Sequence, residues 1–369
     1  MQVALEGVEL LLVRLPLTMP FRSAHGTRHE REVVIVRAIA ADGPDGWGEC
    51  VAEPEPTYWP EYTVAALHVL EHHLVPRILA GRPLGEVRGH NMAKAALECA
   101  ATDAQLRAEG RSMAAFVGAT QAQVPTGIAL GMTSTIDDLV AAATRWHDDD
   151  HRAFKLKVAP GWHVEPVRAV RKALGDDVAL IVDANGSFRS DQPEDLAALR
   201  GLDEPALRVL AIEQPFAPDD LVGHARLARE VDTLVCLDES IGSAGDLETA
   251  LAVGACDAVS LKVGRVGGLA ETQRIHRRCR DEGIDVRCGG MLETGVGRAL
   301  NLAVAALPGC TLPPDLAPSA RYFAEDLTVP FDALSGAMSV PSAPGLGVEP
   351  RPEVLDRTTV SRLTLRADS

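Results

Sequence analysis

Two lysines stand two residues apart in the apolar run Phe154-Lys155-Leu156-Lys157-Val158. Side chains alternate faces along a strand, so Lys155 and Lys157 point one way and Phe154, Leu156 and Val158 the other. If both faces are buried, two ammonium groups share one interior space, which is costly unless anions or chemistry occupy it. An edge strand with one solvated face would carry the same pair with no function attached. The downstream sequence bears on the choice. Asp183 closes Leu180-Ile181-Val182, Glu213 closes Leu210-Ala211-Ile212, Asp238 closes Val235-Cys236-Leu237, and Lys262 closes Val259-Ser260-Leu261. Successive separations from Lys157 onward are 26, 30, 25 and 24 residues. Each is close to one strand–helix repeat, so all five charges fall at one height, the rim where barrel enzymes place their chemistry.

Singly, an Asp after an apolar strand is a turn or helix-cap residue, and Glu213 ahead of Pro215 could simply mark a strand end. Three carboxylates on successive strands, flanked by lysines on both sides, are hard to obtain from caps alone. Three oxygen ligands suit a hard cation, Mg²⁺ with Mn²⁺ able to substitute, one per site. No histidine or cysteine occupies these positions, which argues against zinc. A substrate carboxylate held by the metal would set its α-carbon between Lys157 and Lys262. The α-proton is very weakly acidic, and a divalent ion stabilises the enediolate left by its removal. A lysine serves as base only if its pKa falls well below ~10.4. Lys155 and the cation are expected to push Lys157 that way.

The surrounding elements must position these groups. Residues 8–17, 31–40 and 46–51 read as strands, and 61–80 and 91–109 as amphipathic helices. Between the first two strands, Pro20 to Arg28 reads as a loop, either a connection or a lid. From Val124 strand-like runs recur at 124–130, 153–158, 179–184, 208–213, 234–238, 257–262 and 285–290. Helical stretches such as 136–147, 163–174, 219–230, 246–253 and 269–282 separate them. The alternation indicates a parallel sheet covered by helices and favours a closed barrel. The expected fold class is α/β, with an α+β capping domain at 1–122, the barrel at 123–319, and a segment at 320–369 returning to the cap.

Composition narrows the function classes. The chain has 369 residues, 46% hydrophobic, with 52 acidic against 36 basic residues and a net charge of -16. No basic run exceeds Arg277-Arg278, so neither nucleic acid nor an anionic membrane is an expected partner. The partner is a small-molecule carboxylate, for which an acidic protein must supply a local positive site. The seven cysteines are scattered without metal-finger spacing and read as reduced thiols. The N-terminus lacks the pattern of a signal peptide, and no apolar run reaches the ~20 residues of a membrane helix. A cytoplasmic location is expected.

Finer motifs join the constellation: Pro20-Phe21-Arg22, Gly46-Trp47-Gly48-Glu49-Cys50, Ile212-Glu213-Gln214-Pro215, Leu237-Asp238-Glu239-Ser240, Gly264-Arg265-Val266-Gly267-Gly268 and the run from Cys288 to Ala299. Together the chain resembles the enolase superfamily, in its muconate-lactonizing-enzyme subgroup. Within it the chain looks like the o-succinylbenzoate synthase / N-succinylamino acid racemase family. The resemblance implies a modified TIM barrel of (β/α)7β type under the capping domain, with Asp183, Glu213 and Asp238 holding Mg²⁺. Lys157 would be the acid/base on one face and Lys262 the residue on the other. In the synthase reaction Lys157 removes the α-proton and then helps the hydroxyl leave as water, a step of menaquinone biosynthesis. In the racemase reaction both lysines act as bases. Lys155 would contact the substrate carboxylate. Asn185 and Glu239 would support the metal from behind, Asn185 also facing substrate. Arg265 stands at a position that resembles racemase-competent members and would contact substrate. Tyr58, Met291, Leu292 and Tyr322 are further pocket residues. A homo-oligomer is expected from the resemblance and from base rates.

Two positions depart from relatives: Ala129, where similar proteins can carry Ser, and Glu53, where they can carry Met. Glu53 either points into solvent, the favoured expectation, or faces the pocket, where its acid would repel a succinyl carboxylate or bind a different group. The leading reading is a Mg²⁺-dependent o-succinylbenzoate synthase with N-succinylamino acid racemase activity alongside, and the alternative is a dedicated N-acylamino acid racemase. Muconate cycloisomerase, dipeptide epimerase and a barrel kept only for binding rank lower.

Overall fold

The computed structural model describes residues 3–23 and 26–367, and the side chains of residues 21–23 and 26 lie outside the description. A four-stranded antiparallel sheet opens the chain, in the order Thr359–Arg366, Leu5–Ser23, Gly26–Ala40, Gly46–Cys50. Its residues alternate between two cores. Val33 and Ile35 join the core shared with the barrel, whereas Val34, Val36 and Ala38 join one built with the cap helices. The segment read from sequence as a loop is instead an extension of this sheet. Phe21 pairs with Arg28, Arg22 with Thr27 and Ser23 with Gly26. Its polar residues carry no apolar alternation, and cross-strand hydrogen bonding sustains the ladder without it. Ala24 and His25 lie outside the described residues.

The strand Gly46–Cys50 lies directly on the helix Asn91–Glu109. A Cβ on Gly46 would stand 2.1 Å from the Ala100 carbonyl oxygen, and one on Gly48 2.0 Å from that of Ala96. Glycine here permits contact between backbones. The helix read over 61–80 changes winding midway: α at Thr63–Val69, a π-helical turn at Leu70–Leu74, then α again at Val75–Leu79. Pro76 has no N–H to donate back and its ring crowds the preceding turn, which accounts for the wider winding ahead of it.

Seven parallel strands form the second sheet, each hydrogen-bonded to its sequence neighbour: Ile128–Leu130, Ala153–Lys157, Ala179–Asp183, Val209–Glu213, Leu234–Leu237, Ala258–Leu261 and Asp285–Cys288. An eighth segment, 310–316, closes the ring. Thr311 N donates to Val286 O at 3.0 Å and Asp315 N to Cys288 O at 2.8 Å, while Gly127 N donates to Leu316 O at 2.9 Å on the other side. Helices cover the outside, including Pro193–Leu202, which sequence reading did not single out, and Gly295–Ala305. Outward residues such as Phe154, Leu156, Leu180, Val182 and Ile212 pack into the main core. Inward Ile181, Ala211, Cys236 and Ala258 form a small plug inside the ring. Above that plug the inward positions turn polar.

The run read as one strand over 124–130 is two. Gln123–Pro125 pairs antiparallel with Ala337–Ser339, and only Ile128–Leu130 enters the barrel. The C-terminal tail therefore serves both domains: Ala337–Ser339 lies under the barrel and Thr359–Arg366 edges the cap sheet. All seven cysteines are free thiols. Among the described residues no helix is long and apolar enough to cross a membrane.

Candidate active site

Strand register sets the heights. Lys157 lies beside Asp183, and Asp183 beside Glu213, as Cα partners across neighbouring strands. Glu213 pairs with Cys236, so Asp238 lies one inward step higher. All five residues of Ala153–Lys157 are buried, which removes the reading of a half-solvated edge strand. Lys155 and Lys157 do share one space, and a carboxylate lies between them. Asp183 Oδ2 is 2.8 Å from Lys155 Nζ and 2.6 Å from Lys157 Nζ. Lys155 also reaches Glu213 at 3.0 Å and Asp315 at 2.6 Å. Burial works against its charge, but attraction from Asp183, Asp315 and Glu213 wins and holds its pKa well above the ordinary lysine value. Lys155 is therefore a firmly protonated ammonium offset by three carboxylates.

Across the barrel Lys262 donates to Asp238 Oδ2 at 2.7 Å and to the Tyr58 hydroxyl at 2.9 Å. Burial opposes its charge too, and Asp238 outweighs it, so its pKa lies above the usual range. Asp183 and Asp238 ionise below the usual carboxylate range, because their lysine and arginine neighbours overcome the effect of burial. Glu213 goes the other way. Burial raises its pKa, with repulsion from Asp183 and Asp238 adding to it, despite Lys155 and Arg287. The backbone is strained at this rim. Asn185 (φ 44°), Gln214 (φ 39°) and Leu292 (φ 56°) are non-glycine residues in the left-handed region. Gln214 uses that geometry to tie two strand ends together, its Oε1 accepting from Asp238 N at 2.9 Å and Ser240 N at 3.1 Å.

The cavity above is lined by Ala129, Lys155, Lys157, Asn185, Lys262, Gly290, Met291, Leu292, Asp315 and Tyr322, with Arg28, Glu53 and Tyr58 from the cap. Thus Lys155, Lys157, Lys262, Tyr58, Asn185, Met291, Leu292 and Tyr322 come together at one cavity, and Asp183, Glu213 and Asp238 touch its lysines from below. Asn185 accepts from Lys157 Nζ at 2.6 Å and donates to Glu239 at 2.8 Å. Arg265 falls elsewhere than expected of a substrate contact. It is fully buried outside the cavity, donating to Ile241 O, Ser260 O, Asp238 and the Tyr58 hydroxyl. With its donors so engaged, it acts on the site through Asp238 and Tyr58. Glu53 is not solvated either. It is 7% exposed and paired with Arg28.

Sequence reasoning missed Arg287, Asp315 and Gln214. Arg287 donates to Glu213 from the middle of the last apolar strand. A cation inside an apolar strand is the same signal that Lys155 gave. Asp315 had no such signal, because Pro313-Pro314 hides the eighth segment.

Whether these residues suit a metal is decided by the donors themselves. Among the described residues no three acidic, histidine or cysteine side chains are grouped as a formed metal cage. Each carboxylate is turned onto a cation: Asp183 onto Lys155 and Lys157, Glu213 onto Lys155 and Arg287, Asp238 onto Lys262 and Arg265. The set is nonetheless all-oxygen, buried and on three adjacent strands, and burial, with repulsion from Asp183 and Asp238 adding to it, raises Glu213. That fits a hard divalent cation.

The fold and this ring of charges define a capped-barrel protein with two lysines facing across three carboxylates. The chain belongs to the enolase superfamily: residues 138–354 match the enolase C-terminal domain-like family and residues 7–118 the mandelate racemase / muconate lactonizing enzyme N-terminal domain. It is 46% identical to the N-succinylamino acid racemase of an Amycolatopsis species, over 97% of this chain and 98% of that protein. It is 40% identical to the o-succinylbenzoate synthase of Geobacillus kaustophilus, over 99% and 97% respectively. A solved enolase-superfamily member from Listeria innocua superposes with a TM-score of 0.93 at 35% identity, covering 99% of this chain and 100% of that one.

Proposed function

We propose that the protein is an o-succinylbenzoate synthase that also racemises N-succinylamino acids, using Lys157 and Lys262 on opposite faces of one substrate carbon. The observation that carries this is the symmetry of the two lysines. Each lines the cavity and each is hydrogen-bonded to a candidate metal carboxylate, Lys157 to Asp183 and Lys262 to Asp238. Asp183, Glu213 and Asp238 would hold Mg²⁺, which when bound supplies a Lewis acid for the substrate carboxylate. Lys155, kept cationic by its three carboxylates, fixes the same end of the substrate. Lys157 takes the α-proton and, in the synthase reaction, returns it to the departing hydroxyl, which leaves as water. Lys262 stays protonated and donates to the enediolate oxygens. In racemisation one lysine removes the proton and the other delivers one to the opposite face. Its two-base requirement is what the symmetric arrangement favours, and the 46% identical relative is named for that reaction.

The test is turnover of the cyclohexadiene precursor, together with deuterium exchange at the α-carbon of both N-succinyl enantiomers, with Mg²⁺ binding followed by calorimetry. Lys157→Ala is expected to abolish the synthase reaction, and Lys262→Ala to abolish exchange from one enantiomer only. Equal residual exchange from both enantiomers in Lys262→Ala refutes two-base chemistry. No turnover of the precursor by the Mg²⁺-loaded parent sinks the synthase reading.

A further inference from the structure

The cap-side wall of the cavity carries one pair of opposite charges. Arg28, on the strand Gly26–Ala40, and Glu53, just past Gly46–Cys50, both line it. The two terminal nitrogens of Arg28 each donate to a different oxygen of Glu53. The pair is unequal in freedom. The Glu53 carbonyl accepts from Thr63 N at 2.8 Å, and its carboxylate is also attracted by the buried guanidinium of Arg31, itself fixed by the carbonyls of Val51 and Ala52. The Arg28 side chain is the more exposed, at 21% against 10%. Among the described residues lining the cavity it is the cap's only cation, while the other three, Lys155, Lys157 and Lys262, belong to the reacting end.

A guanidinium offers more than one two-donor edge to carboxylates, and Glu53 takes the edge formed by both terminal nitrogens. We propose that Arg28 recognises the carboxylate at the far end of a dicarboxylate substrate, and that Glu53 is a built-in competitor for it. The pair thereby sets the selectivity between anionic and neutral far ends. This rests on the proton-transfer reading above and adds to it the group that reads the remote end. An incoming carboxylate either displaces Glu53 from Arg28 or shares the guanidinium against like-charge repulsion. Either way Glu53 weakens the binding of an anionic end, and Arg28 makes that binding worthwhile.

The experiment compares an N-succinylamino acid with the N-acetyl derivative of the same amino acid, by kcat/KM for α-proton exchange and by calorimetric binding. Glu53→Gln removes the competing charge and is expected to raise the succinyl-to-acetyl ratio about tenfold, mainly through KM. Arg28→Met is expected to lower the ratio by about tenfold or more, and Arg28→Lys to restore part of it. Melting curves establish that each variant is folded, and Glu53→Gln with Arg28→Lys still decide the matter if Arg28→Met is not. A ratio unmoved by both substitutions, or one that rises in Arg28→Met, overturns the assignment. If the parent protein exchanges neither substrate, the reaction reading fails, and the calorimetric ratio still judges Arg28.

Discussion

Glu49 lies where the cap meets the catalytic rim, and the loss of its proton is expected to make folding stability fall as pH rises from weakly acidic to neutral. It sits on the strand Gly46–Cys50 and caps the barrel helix Gly295–Ala305, whose leading turn follows Met291 and Leu292. Its oxygens accept from Thr294 N at 3.1 Å, Thr294 Oγ1 at 2.6 Å and Gly297 N at 2.9 Å. Burial, reinforced by Glu293, outweighs these donors and pushes its pKa up from 4.5 to about 7. The unfolded chain gives up this proton near 4.5, whereas the folded protein keeps it to about 7. Between those values the folded state binds more protons, so stability falls as pH rises. At 1.36 kcal/mol per pKa unit, the difference amounts to about 3 kcal/mol, absent below pH ~4.5 and complete above pH ~7. Glu49→Gln cannot titrate. The stability of the parent minus that of the variant should therefore drop by about 3 kcal/mol from acid to neutral pH, and any fixed cost of glutamine cancels. Urea unfolding across this range, followed by the fluorescence of the four tryptophans, measures it. A difference that stays flat with pH, or grows, would show that the Thr294 and Gly297 donors dominate and would refute the reasoning.

Two other substitutions probe the barrel. Arg287→Met removes one of the two cations on buried Glu213 and leaves Lys155 as the other; a loss of about 3 kcal/mol in denaturant unfolding is expected, and an unchanged midpoint would mean that Lys155 alone suffices. Gly127→Ala would place a Cβ 1.8 Å from the Pro314 carbonyl oxygen, where the eighth segment closes the ring. Hydrogen exchange should then rise selectively at the amides of Gly127 and Asp315, and equal protection in both proteins would contradict this account of closure.

The barrel was legible because its strands are short and buried on both faces. An inward charge such as Lys157, Asp183 or Lys262 then stands out against apolar neighbours. The same logic extends to Arg287, which was overlooked because it lies mid-strand and not at the rim. The eighth segment was hidden by its prolines, and with it Asp315, the third carboxylate on Lys155. The hairpin extension through Pro20 to Arg28 was hidden for the opposite reason: its strand character comes from cross-strand pairing, and its own residues show no apolar alternation.

By itself the sequence determined which residue types stand near the barrel rim and that they face inward, because strand alternation and the repeat length are local properties of the chain, whereas the register set Asp238 a step above Glu213. It also determined the family through motifs that surround those positions. Only the tertiary structure decided which cation meets which carboxylate. Lys155 spans three acids, Arg265 withdraws behind Asp238, and Glu53 turns from solvent to Arg28. Those pairings depend on distances through space between residues 25 to 160 positions apart, set by sheet register and by how the cap seats on the barrel, and no local pattern encodes them.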